Sequence, residues 1–219
     1  MRTAAPLFKD DSKYAYPRDY LGPGTAILEG FALQYEALIQ NALLEIADQS
    51  PFRHMTTPGG FRMSVAMTNC GALGWVTDRK GYRYDSVDPD TGSPWPAMPA
   101  LFFQLAQRAA NEAGFPEFAP EGCLINRYEP GAKLSLHQDK DELDFTAPIV
   151  SVSLGLPAMF VFGGDQRSDK TVRIPVVHGD VLVWGGPARK RYHGVLPLKK
   201  GVHPVFGGHR YNLTFRKAR

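Results

Sequence analysis

Two histidine–aspartate triplets are the residues of this sequence best suited to hold a metal ion. In an extended segment, residues i and i+2 point to the same side, so the imidazole and carboxylate of His137-Gln138-Asp139 can converge on one ion. His178-Gly179-Asp180 has the same form, but its central glycine and the apolar run after it are typical of a turn that leads into a strand. We therefore take the first triplet as the candidate ligand pair and the second as structural.

His193 is the candidate for a third ligand. It lies in Tyr192-His193-Gly194, far enough from the triplet for other strands to intervene. Two histidines and one carboxylate on one face of an iron ion leave the other face open, which is the ligand set of non-haem iron(II) oxygenases. A closed zinc site would require a fourth ligand, usually cysteine, and neither Cys70 nor Cys123 is suitably placed in the sequence.

The C-terminal segment predicts a strand with one polar and one apolar face. A period of two puts Arg210, Asn212, Thr214 and Arg216 on one side, and Tyr211, Leu213 and Phe215 on the other. A buried arginine without a partner is unfavourable, so the polar face needs an anion. A dicarboxylate fits, because guanidinium groups bind carboxylates through two parallel hydrogen bonds.

A second segment offers further contacts to such an anion. In Asn126-Arg127-Tyr128 and the residues before it, Leu124, Asn126 and Tyr128 share one face of a predicted strand. Asn126 and Tyr128 could therefore donate hydrogen bonds to the same dicarboxylate from a neighbouring strand.

The remaining pattern predicts a mainly β protein with flanking helices. Apolar residues recur at helical spacing over residues 31–47, where Ser50-Pro51 ends the helix, and over 99–113, where Gly114 closes it. From Cys123 onward, short β-rich runs separated by glycines predict a sandwich or jelly roll with both helices packed outside. These runs are residues 123–128, 149–154, 160–162, 171–177, 181–184 and 211–216.

We expect residues 1–219 to form a single domain. An irregular arm over residues 1–25 and the first helix occupy 1–50, and the second helix and the β-rich region occupy 99–219. Between them, the segment 51–98 combines short strands, long loops and aromatic residues that we expect to be exposed; a satellite core under a loop is the alternative. These aromatic residues are Trp75, Tyr82, Tyr84 and Trp95.

Charge is distributed unevenly along the chain. The net charge is only +3, but no acidic residue follows Asp180. Such asymmetry suits a polyanionic partner, and a solvated basic tail explains it equally well. The basic residues of this stretch are Arg189, Lys190, Arg191, Lys199, Lys200, Arg210, Arg216, Lys217 and Arg219.

The sequence favours a cytoplasmic monomer without membrane attachment. Residues 1–11 lack the apolar core of a signal peptide, and no stretch approaches the roughly 20 apolar residues that span a bilayer. Cys70 and Cys123 lie in apolar segments, which indicates a reducing compartment rather than a disulfide framework.

The chain resembles the AlkB family of iron(II)- and 2-oxoglutarate-dependent dioxygenases. The resemblance runs from Pro51 to Arg216 and is carried by residues 63–71 (MSVAMTNCG), 124–128 (LINRY), 134–142 (LSLHQDKDE) and 210–216 (RYNLTFR). It implies a double-stranded β-helix (jelly roll) core with an N-terminal nucleotide-recognition lid at 51–98. It also implies iron(II), 2-oxoglutarate and oxygen as cofactors, and dealkylation of 1-methyladenine and 3-methylcytosine in single- or double-stranded DNA, or in RNA, releasing formaldehyde, succinate and carbon dioxide.

The resemblance also implies individual roles. His137, Asp139 and His193 would bind iron, with Arg210 beside them in the catalytic centre. The 2-oxoglutarate positions are Asn126, Tyr128, Arg210, Asn212 and Arg216. The positions for the damaged nucleotide are Trp75, Tyr82, Tyr84, Asp141 and Arg167. If the segment after Asp139 stays extended, the alternation of side chains puts Asp141 on the ligand side and Glu142 on the other. The alternative is a simple acidic loop formed by Asp139, Asp141, Glu142 and Asp144.

Two segments depart from the bacterial pattern of the family. The loop 206–209 is richer in glycine, which leaves its conformation open, and Arg189-Lys190-Arg191 is more basic, which could alter nucleic-acid preference or only solubility. Two other functions are weighed against the dealkylase: a dioxygenase acting on protein side chains, and a non-catalytic metal-containing module that binds nucleic acid. The aromatic segment and the basic C-terminal third argue against the former, and the paired arginines beside the metal ligands argue against the latter.

Overall fold

The computed structural model describes residues 21–219, so residues 1–20 of the expected arm lie outside it. The part described contains two α-helices and twelve strands. The helices are α1 (Glu36–Gln49) and α2 (Ala100–Glu112), and short 3-10 turns cover Leu33–Tyr35 and Gly186–Ala188. The strands are β1 (Thr25–Leu28), β2 (Ala66–Gly71), β3 (Gly74–Asp78), β4 (Gly81–Asp85), β5 (Gly122–Tyr128), β6 (Leu134–His137), β7 (Ile149–Gly155), β8 (Ala158–Phe162), β9 (Val172–Val176), β10 (Val181–Trp184), β11 (His193–Val195) and β12 (Arg210–Arg216).

The strands form two main antiparallel sheets and one hairpin. The larger sheet has the order β1-β10-β7-β12-β5-β2, the smaller one has the order β6-β11-β8-β9, and β3 pairs only with β4. Apart from β8 and β9, neighbours in the two main sheets are not consecutive along the chain, as is typical of a jelly roll. The mainly β architecture with flanking helices is confirmed.

The two faces of the larger sheet bury different surfaces. Val150, Val152 and Leu213 project towards α1 and α2 and form one apolar cluster with them. Ile149 and Leu182 project the other way, towards the smaller sheet, and form a second cluster with its aromatic residues. The site described below lies between the sheets, at the end where this second cluster gives way to polar side chains.

The first helix begins later than the apolar periodicity predicts. Residues 31–32 form a turn and Leu33–Tyr35 a 3-10 turn, because Gly30 has a φ of +60° and Ala32 N–H donates to the Gly179 carbonyl at 2.9 Å. The C-terminal limits agree with the prediction: Ser50 caps α1, and Gly114, with a φ of +90°, donates to the Asn111 carbonyl beyond α2. A tertiary contact, which local spacing does not encode, accounts for the late start.

The segment 51–98 combines both alternatives considered from the sequence. Trp95 is only 5% exposed, packs in the second apolar cluster and donates its Nε1–H to the Asp85 carbonyl, so its predicted exposure was wrong. Tyr82, on the β3–β4 hairpin, is 50% exposed as predicted. Residues 21–219 contain no helix long and apolar enough to cross a membrane.

Candidate metal centre and carboxylate-binding pocket

The smaller sheet brings the predicted metal ligands together. His137 on β6 and His193 on β11 are directly opposite in the strand register, and their rings lie 4.4 Å apart. Asp139 follows β6, with Oδ1 at 3.7 Å from His137 Nε2 and Oδ2 at 3.8 Å from His193 Nε2. The three side chains can therefore offer one ligand atom each to a common ion.

Hydrogen bonds orient both imidazoles for this role. His137 Nδ1 lies 2.8 Å from the Ser135 carbonyl, and His193 Nδ1 lies 3.0 Å from the Arg191 carbonyl. A carbonyl oxygen only accepts, so the ring proton is on Nδ1 and the Nε2 lone pair faces the candidate metal position. Residues with this arrangement fit an iron(II) ion that is held on one face by two nitrogens and one carboxylate.

The protonation states of His193 and Asp139 also suit metal binding. Burial, together with the nearby His137, lowers the pKa of His193 to about 4, so the imidazole is neutral at pH 7. Burial alone would raise the pKa of Asp139, but Arg216 and the two histidines outweigh it and hold that pKa below its ordinary value. A neutral imidazole and an ionised carboxylate are the forms that bind a metal.

A second histidine cluster has the opposite proton arrangement. Glu36, His178 and His203 also lie within ligand distance of one another. His178 Nδ1, however, accepts the Gly155 N–H at 3.1 Å, and His203 Nδ1 accepts the N–H groups of Val205 and Phe206 at 3.2 and 3.3 Å. The ring proton of each neutral histidine must then be on Nε2, which cannot simultaneously bind a metal.

Asp180 of the second triplet has a backbone role. One of its carboxylate oxygens accepts the Gly30 N–H and the other accepts the Val177 N–H, both at 2.9 Å. It thereby holds the turn before β10 against the chain that leads into α1. These contacts support the structural interpretation of His178-Gly179-Asp180.

Arg210 lies at the floor of a polar pocket between the sheets. It is 2% exposed, and Nη2 donates to Ser153 Oγ at 3.1 Å. Its Nε and Nη1 have no hydrogen-bond partner among the described residues, and the same is true of the Tyr128 hydroxyl and Asn126 Oδ1. Burial lowers the pKa of Arg210 and raises that of Tyr128.

These unpaired groups fit a bound carboxylate. Strand register places Arg210 opposite Tyr128, and Asn212 opposite Asn126. An unpaired buried guanidinium is unfavourable unless an anion completes its hydrogen bonds. The candidate metal ligands line the same cavity of about 580 Å³, so one dicarboxylate could contact both Arg210 and the ion.

Asn212 and Arg216 also line this cavity, but their side chains already form hydrogen bonds with other residues of the protein. Asn212 Nδ2 donates to Ser151 Oγ at 2.7 Å, while its Oδ1 accepts from the Thr214 hydroxyl. Arg216 donates from Nε and Nη2 to Asp139 Oδ2, at 2.9 and 2.7 Å. Burial would lower the pKa of Arg216, but Asp139 raises it above its ordinary value. The 2-oxoglutarate role predicted for Arg216 therefore stays a prediction, and its observed partner is the candidate iron ligand.

The β3–β4 hairpin borders the cavity with an aromatic pair. Trp75 and Tyr82 stack with ring centroids 5.7 Å apart and planes inclined by 20°. Trp75 Nε1 donates to Asp141 Oδ2 at 2.8 Å, and Arg167 lies at the mouth with its guanidinium 5.6 Å from the Tyr192 ring. These four predicted nucleotide contacts all line the cavity.

Tyr84, the fifth predicted nucleotide contact, does not line the cavity. Its hydroxyl donates to Glu142 Oε1 at 2.5 Å, and Glu142 does not line the cavity either. Burial raises the pKa of this tyrosine well above its ordinary value. The structure therefore gives no support to the expected Tyr84–nucleotide contact, because the hydroxyl already has a buried partner. Glu142 faces away from the cavity as predicted.

The C-terminal basic stretch is mostly engaged within the protein. Arg189 is 2% exposed and donates to the Asp139 carbonyl and to Glu142, so it is a structural residue rather than a surface cation. Arg191 donates to the Leu21 carbonyl, and Lys217 pairs with Asp144. Arg189 therefore adds no charge to the surface, and an effect of residues 189–191 on nucleic-acid preference or solubility stays a prediction.

Sequence reasoning missed several residues that shape the site. Phe160 and Trp184 pack on the His193 ring at 5.9 and 5.0 Å, and Ser151 and Ser153 support the β12 side chains. The alternation of serine with valine in β7 is a period-two signal that could have identified the two serines. No comparable local signal marks Phe160 or Trp184, because their roles depend on which sheets face each other.

Comparisons with known proteins agree with this geometry. A family model described as the 2OG-Fe(II) oxygenase superfamily matches residues 24–216. The alpha-ketoglutarate-dependent dioxygenase AlkB of Escherichia coli (strain K12) is 58% identical over 212 residues, which is 97% of each chain. The tRNA demethylase abh1 of Schizosaccharomyces pombe is 32% identical over 147 residues, 67% of this chain and 47% of that protein. A solved structure, described as that of OsALKBH1, superposes with a TM-score of 0.80 at 29% identity and covers 92% of this chain and 100% of that one.

Proposed function

The chain belongs to the 2OG-Fe(II) oxygenase superfamily, and we propose that it repairs alkylated DNA bases, with 1-methyladenine and 3-methylcytosine as its main lesions. It is a dioxygenase that uses iron(II), 2-oxoglutarate and oxygen, and its reaction is oxidative dealkylation. The proposal rests on one observation: a single cavity is lined by two histidines and an aspartate that could hold a metal ion, by a buried arginine with unpaired N–H groups and by a stacked aromatic pair.

In the proposed function, different residues of the site bind iron and 2-oxoglutarate. His137, Asp139 and His193 would hold iron, and Arg210, with Tyr128 and Asn126, would bind the far carboxylate of 2-oxoglutarate. When bound, these cofactors and oxygen supply the oxidation that releases the alkyl carbon as formaldehyde, with succinate and carbon dioxide as co-products. The chain contributes position and shielding, because the buried walls at Phe160 and Trp184 exclude water from the His193 side.

The damaged base must leave its stack to reach this site. No alkyl carbon within a duplex is accessible to a buried metal, so the base is flipped out or comes from a single strand. Trp75 offers a flat surface for the extruded ring, and stacking of this kind contributes about 1–3 kcal/mol per base. His137, 37% exposed at its side chain, faces the cavity from the metal side and can cover the opposite surface of the ring.

We propose that the Asp141 carboxylate recognises the positive charge of the alkylated base. Methylation at N1 of adenine or N3 of cytosine leaves the ring cationic at neutral pH and blocks its pairing edge. Asp141 Oδ2 is occupied by the Trp75 indole N–H, which fixes the carboxylate at the cavity wall. Because Asp141 lines the cavity, we propose that its Oδ1 accepts a hydrogen bond from the exocyclic amine of the base.

Three further points are part of the proposal: the oligomeric state, the cellular compartment and the role of Arg167. We propose a monomer as the working form, because His137, Asp139 and His193 already give a complete three-residue ligand set within one chain. Both cysteines are free and buried, which supports a reducing cytoplasm as the compartment. Arg167, at the mouth, would contact phosphate or sugar and position the strand without reading its sequence.

Succinate formation by the purified protein tests the proposed substrate class. The protein is supplied with iron(II), oxygen and 2-oxoglutarate, and then with alkylated DNA, the same DNA without lesions, alkylated RNA or a peptide. We expect alkylated nucleic acid to stimulate succinate release well above the unmodified control. Stimulation by the peptide alone would instead support a protein hydroxylase, and no turnover with any substrate would support a binding module.

A further inference from the structure

The β3–β4 hairpin is attached to the segment that follows the candidate ligand Asp139. Trp75 and Tyr84 are cross-strand partners, so both side chains leave the hairpin at the same level. Trp75 donates to Asp141 at 2.8 Å and Tyr84 donates to Glu142 at 2.5 Å. The aromatic hairpin is thus connected to two consecutive acidic residues of the segment that carries a metal ligand.

Glu142 is the more deeply buried of these two attachment points. Its side chain is 2% exposed. Oε1, which accepts from Tyr84, also lies 3.4 Å from Arg216 Nε, and Oε2 accepts from Arg189 at 3.1 Å. Arg189 in turn donates to the backbone carbonyl of Asp139 at 2.9 Å. Glu142 therefore joins the hairpin to two cations that both contact Asp139.

Arg216 completes the connection to the metal centre. It gives two hydrogen bonds to Asp139 Oδ2, the oxygen nearer to His193. The path Tyr84–Glu142–Arg216–Asp139 has only three contacts, and three of its four side chains are buried. In a low-dielectric interior such contacts are strong and affect one another, so a change at one end alters the other.

We propose that Glu142 is a positioning residue that couples docking of the β3–β4 hairpin to the orientation of the Asp139 carboxylate through Arg216. The proposal rests on the proposed function only in assigning iron to Asp139. Hairpin docking then favours the ligand geometry, and metal binding favours hairpin docking by the same factor, since coupling between two sites is reciprocal.

Iron affinity in variants along the path gives the first test. Dissociation constants for iron(II) with 2-oxoglutarate are measured without oxygen for the parent, Tyr84→Phe, Glu142→Gln and the double variant. Loss of a hydrogen bond to a buried charge predicts about tenfold weaker iron binding for Tyr84→Phe and a larger loss for Glu142→Gln. The double variant should match Glu142→Gln alone, because both changes interrupt one path. Asp144→Asn, in the same acidic segment but in a surface pair with Lys217, is the matched control and should bind iron as the parent does.

Hydrogen exchange of residues 74–85 gives a second readout that is independent of turnover. In the metal-free protein, both variants should exchange this hairpin faster than Asp144→Asn does. Iron should slow the exchange in the parent and have little effect in Glu142→Gln. If Glu142→Gln does not fold, Tyr84→Phe against Asp144→Asn decides the question.

Additive losses in the double variant, or unchanged iron affinity in Tyr84→Phe, overturn the coupling. Both readouts are made without nucleic acid. A parent that binds iron but repairs no DNA would therefore contradict the proposed function and leave the coupling standing.

Discussion

At the scale of single residues, the position of the imidazole protons distinguishes the two histidine clusters. His137 and His193 donate from Nδ1 to carbonyl oxygens and present Nε2 as a lone pair. His178 and His203 accept backbone N–H groups at Nδ1 and carry their protons on Nε2. Ligand chemistry thus follows from neighbouring backbone groups, which a His-x-Asp pattern does not reveal.

Paired aspartate variants test this distinction. Asp139→Asn removes a ligand charge while keeping the shape that Arg216 contacts, and should weaken iron(II) binding by more than the roughly 10–100-fold typical of a lost supporting residue. Asp180→Asn removes a backbone acceptor at Gly30 or Val177 and should lower the thermal midpoint while iron affinity stays at the parent value. Calorimetric titration and thermal unfolding measure the two effects. Loss of iron binding in the Asp180 variant alone would show that the other triplet is the ligand pair.

Asp141 is expected to discriminate between lesions by charge. Asp141→Ala should reduce repair of cationic 1-methyladenine by about 10–100-fold, as for a lost hydrogen bond to a charged group, and should affect neutral 1-methylguanine much less. The variant also frees the Trp75 indole, so Trp75→Phe, which removes that N–H and keeps a smaller aromatic ring, serves as the control for loss of the Trp75–Asp141 hydrogen bond. Competition between the two lesions in one oligonucleotide mixture gives the ratio. An equal loss on both lesions, or none on either, would remove Asp141 from this role.

At the level of secondary-structure elements, strand β12 packs against the helices with one face and lines the cavity with the other. Leu213 and Phe215 pack with the helices, while Arg210, Asn212, Thr214 and Arg216 line the cavity. The alternation predicted from the sequence is confirmed because period two is a property of any strand. Strand β5, with Asn126 facing the cavity and Arg127 over the Phe52 ring on the other side, obeys the same rule.

Removing Arg210, one of the two cavity-facing cations of β12, should selectively weaken binding of 2-oxoglutarate. Arg210→Ala leaves the carboxylate of 2-oxoglutarate without its buried partner, and the KM for 2-oxoglutarate should rise about a hundredfold. Affinity for DNA should change little, because Arg210 lies at the pocket floor. The matched control is Arg127→Ala, the cation on the opposite face of the paired strand, which should leave that KM unchanged. Identical 2-oxoglutarate binding in parent and Arg210→Ala would exclude the role.

Element prediction succeeded where local pattern and tertiary structure agree. The run 181–184 was predicted with the limits of β10, and the two helices end where Ser50 and Gly114 indicated. Strands β6 and β11, which carry the histidines, were not identified as strands. They are short and mix polar with apolar residues, so their existence depends on pairing with each other and with β8. The late start of α1 and the buried Trp95 have the same cause, since long-range contacts decide both.

At the scale of the whole molecule, three separate regions of the chain meet at one cavity. The β3–β4 hairpin supplies the aromatic pair, the smaller sheet supplies His137 and His193 of the candidate metal ligands, and the larger sheet supplies Arg210. In the proposed function, the exposed aromatic end would take the flipped base, the candidate ligands the ion, and the buried Arg210 the dicarboxylate. Individual side chains could be nominated from the sequence, but this arrangement depends on how the two sheets face each other.

The products formed from a single lesion distinguish direct dealkylation from excision of the base and from turnover that leaves the lesion in place. A single-stranded oligonucleotide with one 1-methyladenine is incubated with the protein, iron(II), 2-oxoglutarate and oxygen, and the DNA is analysed by mass spectrometry while succinate and formaldehyde are quantified. We expect unmodified adenine in an intact strand, with one succinate and one formaldehyde per restored base. Adenine missing from the strand, or succinate formed while the lesion persists, would contradict it.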